Sequence, residues 1–191
     1  MISAVIFDFY GVFCSDAYLT WQDSHFDITD PVRQRFNALA SRNDAGELTL
    51  AEFYAEAAAI ASLPLEQTIT ELGNAMKLDQ SVVDLTGRLR DKGIKIGLLS
   101  NSPTSLYDTI DGFGIRSLFD SVLCSAEAGA SKPKPEIFAL ILAKLSASAS
   151  KSVFVDDRQV NIDGAKRAGL IGILFTTATE LEHRLINLGV L

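Results

Sequence analysis

Asp8, Tyr10, Ser100, Asn101, Lys132, Asp156 and Asp157 are the residues of this chain whose types and places suit chemistry, because each group follows an apolar run. Asp8 closes Ala4–Phe7 and is followed by Phe9-Tyr10-Gly11. The glycine permits a sharp turn that aims a carboxylate out of a sheet edge. An ionised Asp there can attack phosphorus, ligate a hard cation, or simply cap the turn. Ser100-Asn101 follow Ile94–Leu99. There a hydroxyl and free N–H groups can hold phosphate oxygens, or cap a helix starting near Ser105. Lys132 lies in Ser131-Lys132-Pro133-Lys134-Pro135, a loop stiffened by its prolines. Its ammonium can neutralise carboxylate and phosphate charge, with Lys134 as the alternative inward residue. Asp156-Asp157 end Val153–Val155, and adjacent acids are costly unless a cation or lysine offsets them or the turn is solvated. Together the four motifs outline an acidic, phosphate-handling site.

Residues so far apart in sequence converge if they sit at the carboxyl ends of strands in an open parallel sheet. Ala4–Phe7, Ile94–Leu99, Val122–Cys124, Val153–Val155 and Ile171–Phe175 read as such strands, short, apolar and bounded by Gly, Asp or Ser. Helical periodicity covers Ser105–Asp111, Pro135–Leu145 and Val160–Ala168. The alternation predicts right-handed βαβ crossovers and an α/β, doubly wound parallel sheet. Asp163, Lys166 and Arg167 fall on an exposed helix face.

The interval from about Phe13 to Arg90 contains no strand and reads as successive amphipathic helices, Pro31–Ser41, Leu50–Ala61, Leu65–Ala75 and Asp79–Lys92. Asn43-Asp44-Ala45-Gly46, Leu63-Pro64 and Lys77-Leu78 separate them, and Thr49 with Glu52 forms a capping box. The expected organisation is a core of residues 1–13 and 79–191 with a small all-helical cap, 14–78, inserted after the first strand.

The chain has 191 residues, nearly half of them apolar, which suits one compact domain with a modest insertion. Its net charge of −7 and scattered basic residues exclude a broad nucleic-acid footprint. No run approaches the roughly 20 apolar residues of a membrane span, and no leader pattern precedes Ala4, so a cytoplasmic protein is expected. Cys14 and Cys124 suit reduced thiols rather than a disulfide framework. His25 and His183 are isolated, leaving no zinc or Ser-His-Asp arrangement. Walker-type and dinucleotide glycine fingerprints are absent.

On these motifs the chain resembles the haloacid dehalogenase-like hydrolases with a small helical cap and a Rossmann-like core, from Ile2 to about Phe175. The resemblance implies a hydrolase of small phosphorylated metabolites in which Asp8 attacks the phosphoryl group to form an aspartyl-phosphate. It also implies Mg²⁺ held by Asp8, the backbone carbonyl of Tyr10 and Asp157. Asp156 would support the metal or Lys132, while Ser100, Asn101 and Lys132 would bind the phosphoryl oxygens.

Tyr10 departs from that pattern, because phosphatases of this family usually carry a second Asp there as general acid and base. A tyrosine of ordinary pKa, about 10, is protonated at neutral pH and is a poor base, which implies slow turnover. Tyrosine at this place is similar to the 2-haloacid dehalogenases, which need no metal; Asp156-Asp157 argue against them, since paired acids repel an anionic haloacid. The third reading is a catalytically impaired member that binds a phosphometabolite or a protein. Tyr18, Trp21, Phe53 and Tyr54 are the candidate cap contacts, although helical spacing also suits Phe53 and Tyr54 to a core.

Overall fold

The computed structural model describes residues 1–191. In chain order the elements are β1 (Ala4–Phe7), α1 (Ala17–His25), α2 (Pro31–Asp44), α3 (Leu50–Ala61), α4 (Leu65–Ala75), α5 (Gln80–Asp91) and β2 (Lys95–Ser100). There follow α6 (Leu106–Gly112), β3 (Ser121–Cys124), α7 (Ser125–Ala128), α8 (Pro135–Leu145), β4 (Ser152–Asp156), α9 (Gln159–Arg167), β5 (Ile171–Leu174) and α10 (Ala178–Asn187). The strands form one parallel sheet in the order β3-β2-β1-β4-β5. From the central β1 the chain goes to one side for β2 and β3 and to the other for β4 and β5. The edge between those halves is where ligands bind in open α/β sheets.

The central strands β1, β2 and β4 are buried on both faces, so they are largely apolar, and their side chains alternate between two cores. Val5, Phe7, Ile96, Leu98, Val153 and Val155 point to the face covered by α5, α6 and α10. Ile6, Leu99 and Phe154 point to the other, against α8 and α9. Cys14 and Cys124 are buried free thiols in the first of these cores.

Helices α1–α4 build a separate apolar cluster around Trp21, Phe36, Leu39, Phe53 and Leu72. The chain enters and leaves this group side by side: Ser15 N–H donates to the Lys77 carbonyl at 3.0 Å and Asp79 N–H to that of Phe13 at 2.8 Å. The capping box of Thr49 and Glu52 forms at the start of α3. No helix is long and apolar enough to cross a membrane.

Three helices lie outside the elements expected from the sequence. In α1 the buried residues are Ala17, Trp21 and Gln22, a narrow stripe containing an amide, so tertiary packing carries the helix. In α10 the buried stripe is only Leu181 and Leu185, and α7 is one turn. Helix α2 also runs past the expected Ser41 to Asp44. Asn43 there is buried and donates to the Tyr18 hydroxyl at 2.8 Å, so a residue that reads as a loop signal is a core contact. The turn ends at Gly46, whose φ of +77° favours glycine.

Phe154 lies at the centre of one core, its ring edge-on to Phe138 with centroids 5.1 Å apart. Phe154→Ala is expected to cost about 3–5 kcal/mol, read as a lower urea midpoint with an unchanged slope.

Candidate active site

Strand register brings the acidic motifs together. Phe7 pairs with Val155, and Asp8 N–H donates to the Val155 carbonyl at 2.8 Å, so Asp8 and Asp156 emerge side by side. Ser100 ends β2 on the other flank of β1. Beyond β1 the chain turns tightly, the Phe9 carbonyl accepting from Phe13 N–H at 2.9 Å and Cys14 N–H at 3.0 Å. Gly11 is required in that turn: its φ is +83°, and a Cβ there would lie 2.3 Å from Asp157 Oδ2.

Lys132 stands at the centre. Its Nζ lies 2.7 Å from Asp8 Oδ1 and donates to Asp156 Oδ2 at 2.8 Å, with all three side chains almost wholly buried. Lys134 is exposed, so Lys132 is the inward lysine. Asn101 fixes the lysine's backbone in both directions: Lys132 N–H donates to Asn101 Oδ1 at 2.8 Å, and Asn101 Nδ2 donates to the Lys132 carbonyl at 3.0 Å. The Asn101 side chain thus ties the second motif to the third. Asp156 is saturated, accepting from Arg158 N–H at 2.8 Å and from Asn161 Nδ2 as well as from Lys132.

Asp8 is saturated on one oxygen only. Oδ1 accepts from Phe9 N–H at 2.7 Å and pairs with Lys132, while no protein donor reaches Oδ2. The Ser100 hydroxyl is buried without a partner at the same cavity, a polar group that awaits one. Asp8, Tyr10, Ser100, Asn101, Lys132 and Asp157 all line that cavity, whereas the fully buried Asp156 supports it from behind.

The charges are unbalanced. Burial works against the Lys132 ammonium, but attraction to Asp8 and Asp156 outweighs it and raises its pKa. Burial pushes Asp8 well above the usual carboxylate range; Lys132 opposes the shift and Asp156 adds to it. The two directions describe one coupled cluster, and the close ion pair fixes Lys132 as charged, so the second buried carboxylate carries the cost. Burial, then Asp156, also raises Asp157. Asp8, Asp156 and Asp157 present carboxylate oxygens within 4.8 Å of one another. An all-oxygen set with more negative charge than one lysine can balance fits a hard divalent cation such as Mg²⁺.

Four cavity residues carry no signal in the sequence on their own: Asp16, Asp44, Arg158 and Asn161. Arg158 and Asn161 follow the acidic pair closely enough to be suspected from spacing, but Asp16 and Asp44 reach the site only through the packing of α1 and α2. Burial, with Asp16 nearby, pushes the Asp44 carboxyl up to about 7 against the pull of Lys132 and Arg158. Tyr10 is pushed further above its ordinary value, chiefly by burial, so its proton is held more tightly still.

Of the candidate cap contacts, Tyr18 lines this cavity. Phe53 and Tyr54 line an adjoining, mostly apolar cleft that shares Tyr10, Ala17 and Tyr18 with it. Trp21 lines neither and belongs to the core of the helical group. Both histidines lie outside the cavity, His25 paired with Glu71 at 2.6 Å and His183 exposed.

A family model described as a haloacid dehalogenase-like hydrolase matches residues 2–169. A sesquiterpene phosphatase of Aspergillus oryzae is 27% identical over 120 residues, 61% of this chain and 61% of the relative. A ribulose-1,5-bisphosphate 5-phosphatase of Halopiger xanaduensis is 33% identical over 109 residues, 56% of this chain and 46% of the relative. The chain thus matches less than two thirds of the length of these curated relatives. Among solved structures, a haloacid dehalogenase family enzyme of Bacteroides thetaiotaomicron in a magnesium complex superposes with a TM-score of 0.77. It covers 96% of this chain and 98% of that one, and at 19% identity the likeness is one of fold.

Two predictions follow from the geometry. Gly11→Ala displaces Asp157, and Mg²⁺ affinity by titration calorimetry is expected to fall about 10–100-fold while circular dichroism stays unchanged. The raised pKa values of Asp8 and Asp157 set a pH dependence. In the metal-free fold a raised carboxyl contributes stability in acid, which is lost as pH rises through the folded value. A cation needs the ionised form, so the Tm increment from Mg²⁺ is expected to grow from acidic to neutral pH. An increment independent of pH contradicts this ligand set.

Proposed function

Since the chain belongs to the haloacid dehalogenase-like hydrolases, we propose that it is a Mg²⁺-dependent hydrolase of small phosphomonoesters that works through an aspartyl-phosphate on Asp8. One observation carries the reading: Asp8 Oδ2 is free at a cavity that also presents the unpartnered Ser100 hydroxyl and the Lys132 ammonium. That set suits a group with several anionic oxygens around one electrophilic centre. Phosphoryl transfer depends mainly on positioning and charge neutralisation, and the phosphatases among the relatives support the same reaction class.

Asp8, Asp157 and the Tyr10 carbonyl would hold Mg²⁺. When bound, it neutralises phosphoryl oxygens and lets Asp8 remain ionised. Ser100 donates its hydroxyl to one phosphoryl oxygen, and Lys132 neutralises charge beside Asp8. Asn101 acts by holding Lys132, and Asp156 by orienting the ammonium. The helical group α1–α4 is the cap of residues 14–78, and the cleft along Phe53 and Tyr54 receives the leaving group. The partner is therefore a small phosphorylated metabolite, taken up by a cytoplasmic enzyme.

Tyr10 is the observation that favours a second reading, displacement of halide from a 2-haloacid by Asp8. The assay that separates the readings is phosphate release from a panel of small phosphomonoesters with Mg²⁺ or EDTA, beside chloride release from 2-chloropropionate. Phosphate release that needs Mg²⁺ and vanishes in Asp8→Asn is expected. Metal-independent chloride release would make the chain a dehalogenase, and silence in both would leave a binding protein.

A further inference from the structure

The side chain best placed to exchange protons at this site comes from the helical group. Asp44 is the last residue of α2, and its carboxyl lines the same cavity as Asp8, Ser100 and Lys132. Its backbone is tied to the core: the Ser125 hydroxyl donates to the Asp44 carbonyl and accepts from Ser102 N–H at 2.9 Å. Ser102 is two residues beyond Ser100. Two residues beyond Asp44, a Cβ on Gly46 would lie 2.8 Å from Ala126 Cβ, so the end of α2 is packed closely against α7. Asp44 is thus registered to the loop that carries the proposed phosphoryl-binding serine.

The other carboxylates around the cavity are committed. Asp16 Oδ1 accepts from Leu19 N–H at 3.0 Å as the N-cap of α1. Asp8 and Asp156 hold Lys132, and Asp157 abuts Gly11 among the acidic donors. The Asp44 carboxyl makes no hydrogen bond to the protein. The groups facing it are Asp16 before α1, Lys132 after α7, Arg158 after β4, and Tyr10 and Tyr18. Two of these charges are positive and one negative. With no hydrogen bond of its own to the protein, the Asp44 carboxyl is left available at the cavity to give and take a proton. Tyr10, at the place of the usual acid, is a poor base because burial holds its proton more tightly.

We propose that Asp44 is the general acid and base of this site, supplied by the helical group in place of the missing carboxylate at position 10. The assignment rests on the phosphatase reading above. In the first step Asp8 Oδ2 forms a bond to phosphorus while the bond from phosphorus to the ester oxygen breaks, and the Asp44 carboxylic acid protonates that departing oxygen. In the second, water attacks the aspartyl-phosphate, the bond from Asp8 to phosphorus breaks, and the Asp44 carboxylate takes the water proton. Inorganic phosphate leaves, and both carboxyls return to their starting forms.

The test compares wild type and Asp44→Asn on p-nitrophenyl phosphate, whose leaving group departs without a proton, and on a simple alkyl phosphate, whose leaving group requires one. For the alkyl ester, kcat/KM is expected to fall about 10²-fold or more, with that for the aryl ester nearly unchanged. Turnover of the aryl ester, kcat, falls because the water step has lost its base. The variant then carries covalent phosphate by intact mass after an acid quench. Equal losses of kcat/KM on both esters without covalent phosphate reduce Asp44 to a structural role, and unchanged kinetics on both remove it from the reaction. A wild type that releases phosphate from neither ester overturns the phosphatase reading itself, and this assignment with it.

Discussion

The Lys132 ammonium, held between Asp8 and Asp156 at 2.7 and 2.8 Å, is the interaction on which the rest of the site depends. Buried ion pairs are poor sources of stability, because desolvation offsets their attraction, yet losing one partner of such a pair costs about 3–5 kcal/mol. The surroundings are accordingly built to keep this one complete. Asn101 clamps the lysine backbone, Asn161 and Arg158 N–H saturate Asp156, and the Phe154 ring lies below the ammonium at 5.5 Å. What the cluster leaves unsatisfied is as informative: one oxygen of Asp8, the Ser100 hydroxyl and an excess of negative charge. A cation and a phosphoryl group together would satisfy all three.

The two parts of the molecule contribute different things. The sheet fixes the charged groups at strand ends, where neighbouring ladders allow little movement. The helical group supplies walls: Tyr18 and Asp44 beside the charges, and an apolar cleft leading away from them. The polypeptide crosses between the parts only at the paired segments near Cys14 and Leu78. The contact from Ser125 to Asp44 is a separate tether, made on the side of the active site. Chemistry that depends on both parts is therefore sensitive to how α2 is seated on the core.

The sequence by itself determined the sheet and the acidic edge. Buried parallel strands are continuous apolar runs, so Ala4–Phe7 and Val153–Val155 announce themselves, and the residues that follow them must emerge at one edge. It also made Tyr10 a poor base, a matter of intrinsic pKa. Helices α3, α4 and α8 were legible to the residue, because capping and proline signals lie at or beside their ends.

Only the tertiary structure decided which lysine turns inward, that the Asn101 side chain binds the Lys132 backbone, and that Asp156 is saturated while Asp157 is not. It alone decided that α2 continues through Asn43, whose partner Tyr18 lies on a different helix, and so brought Asp44 to the cavity. The physical reason is common to these cases. Strand and helix signals are periodic and local, whereas the role of a single polar side chain depends on the burial and partners that distant segments provide.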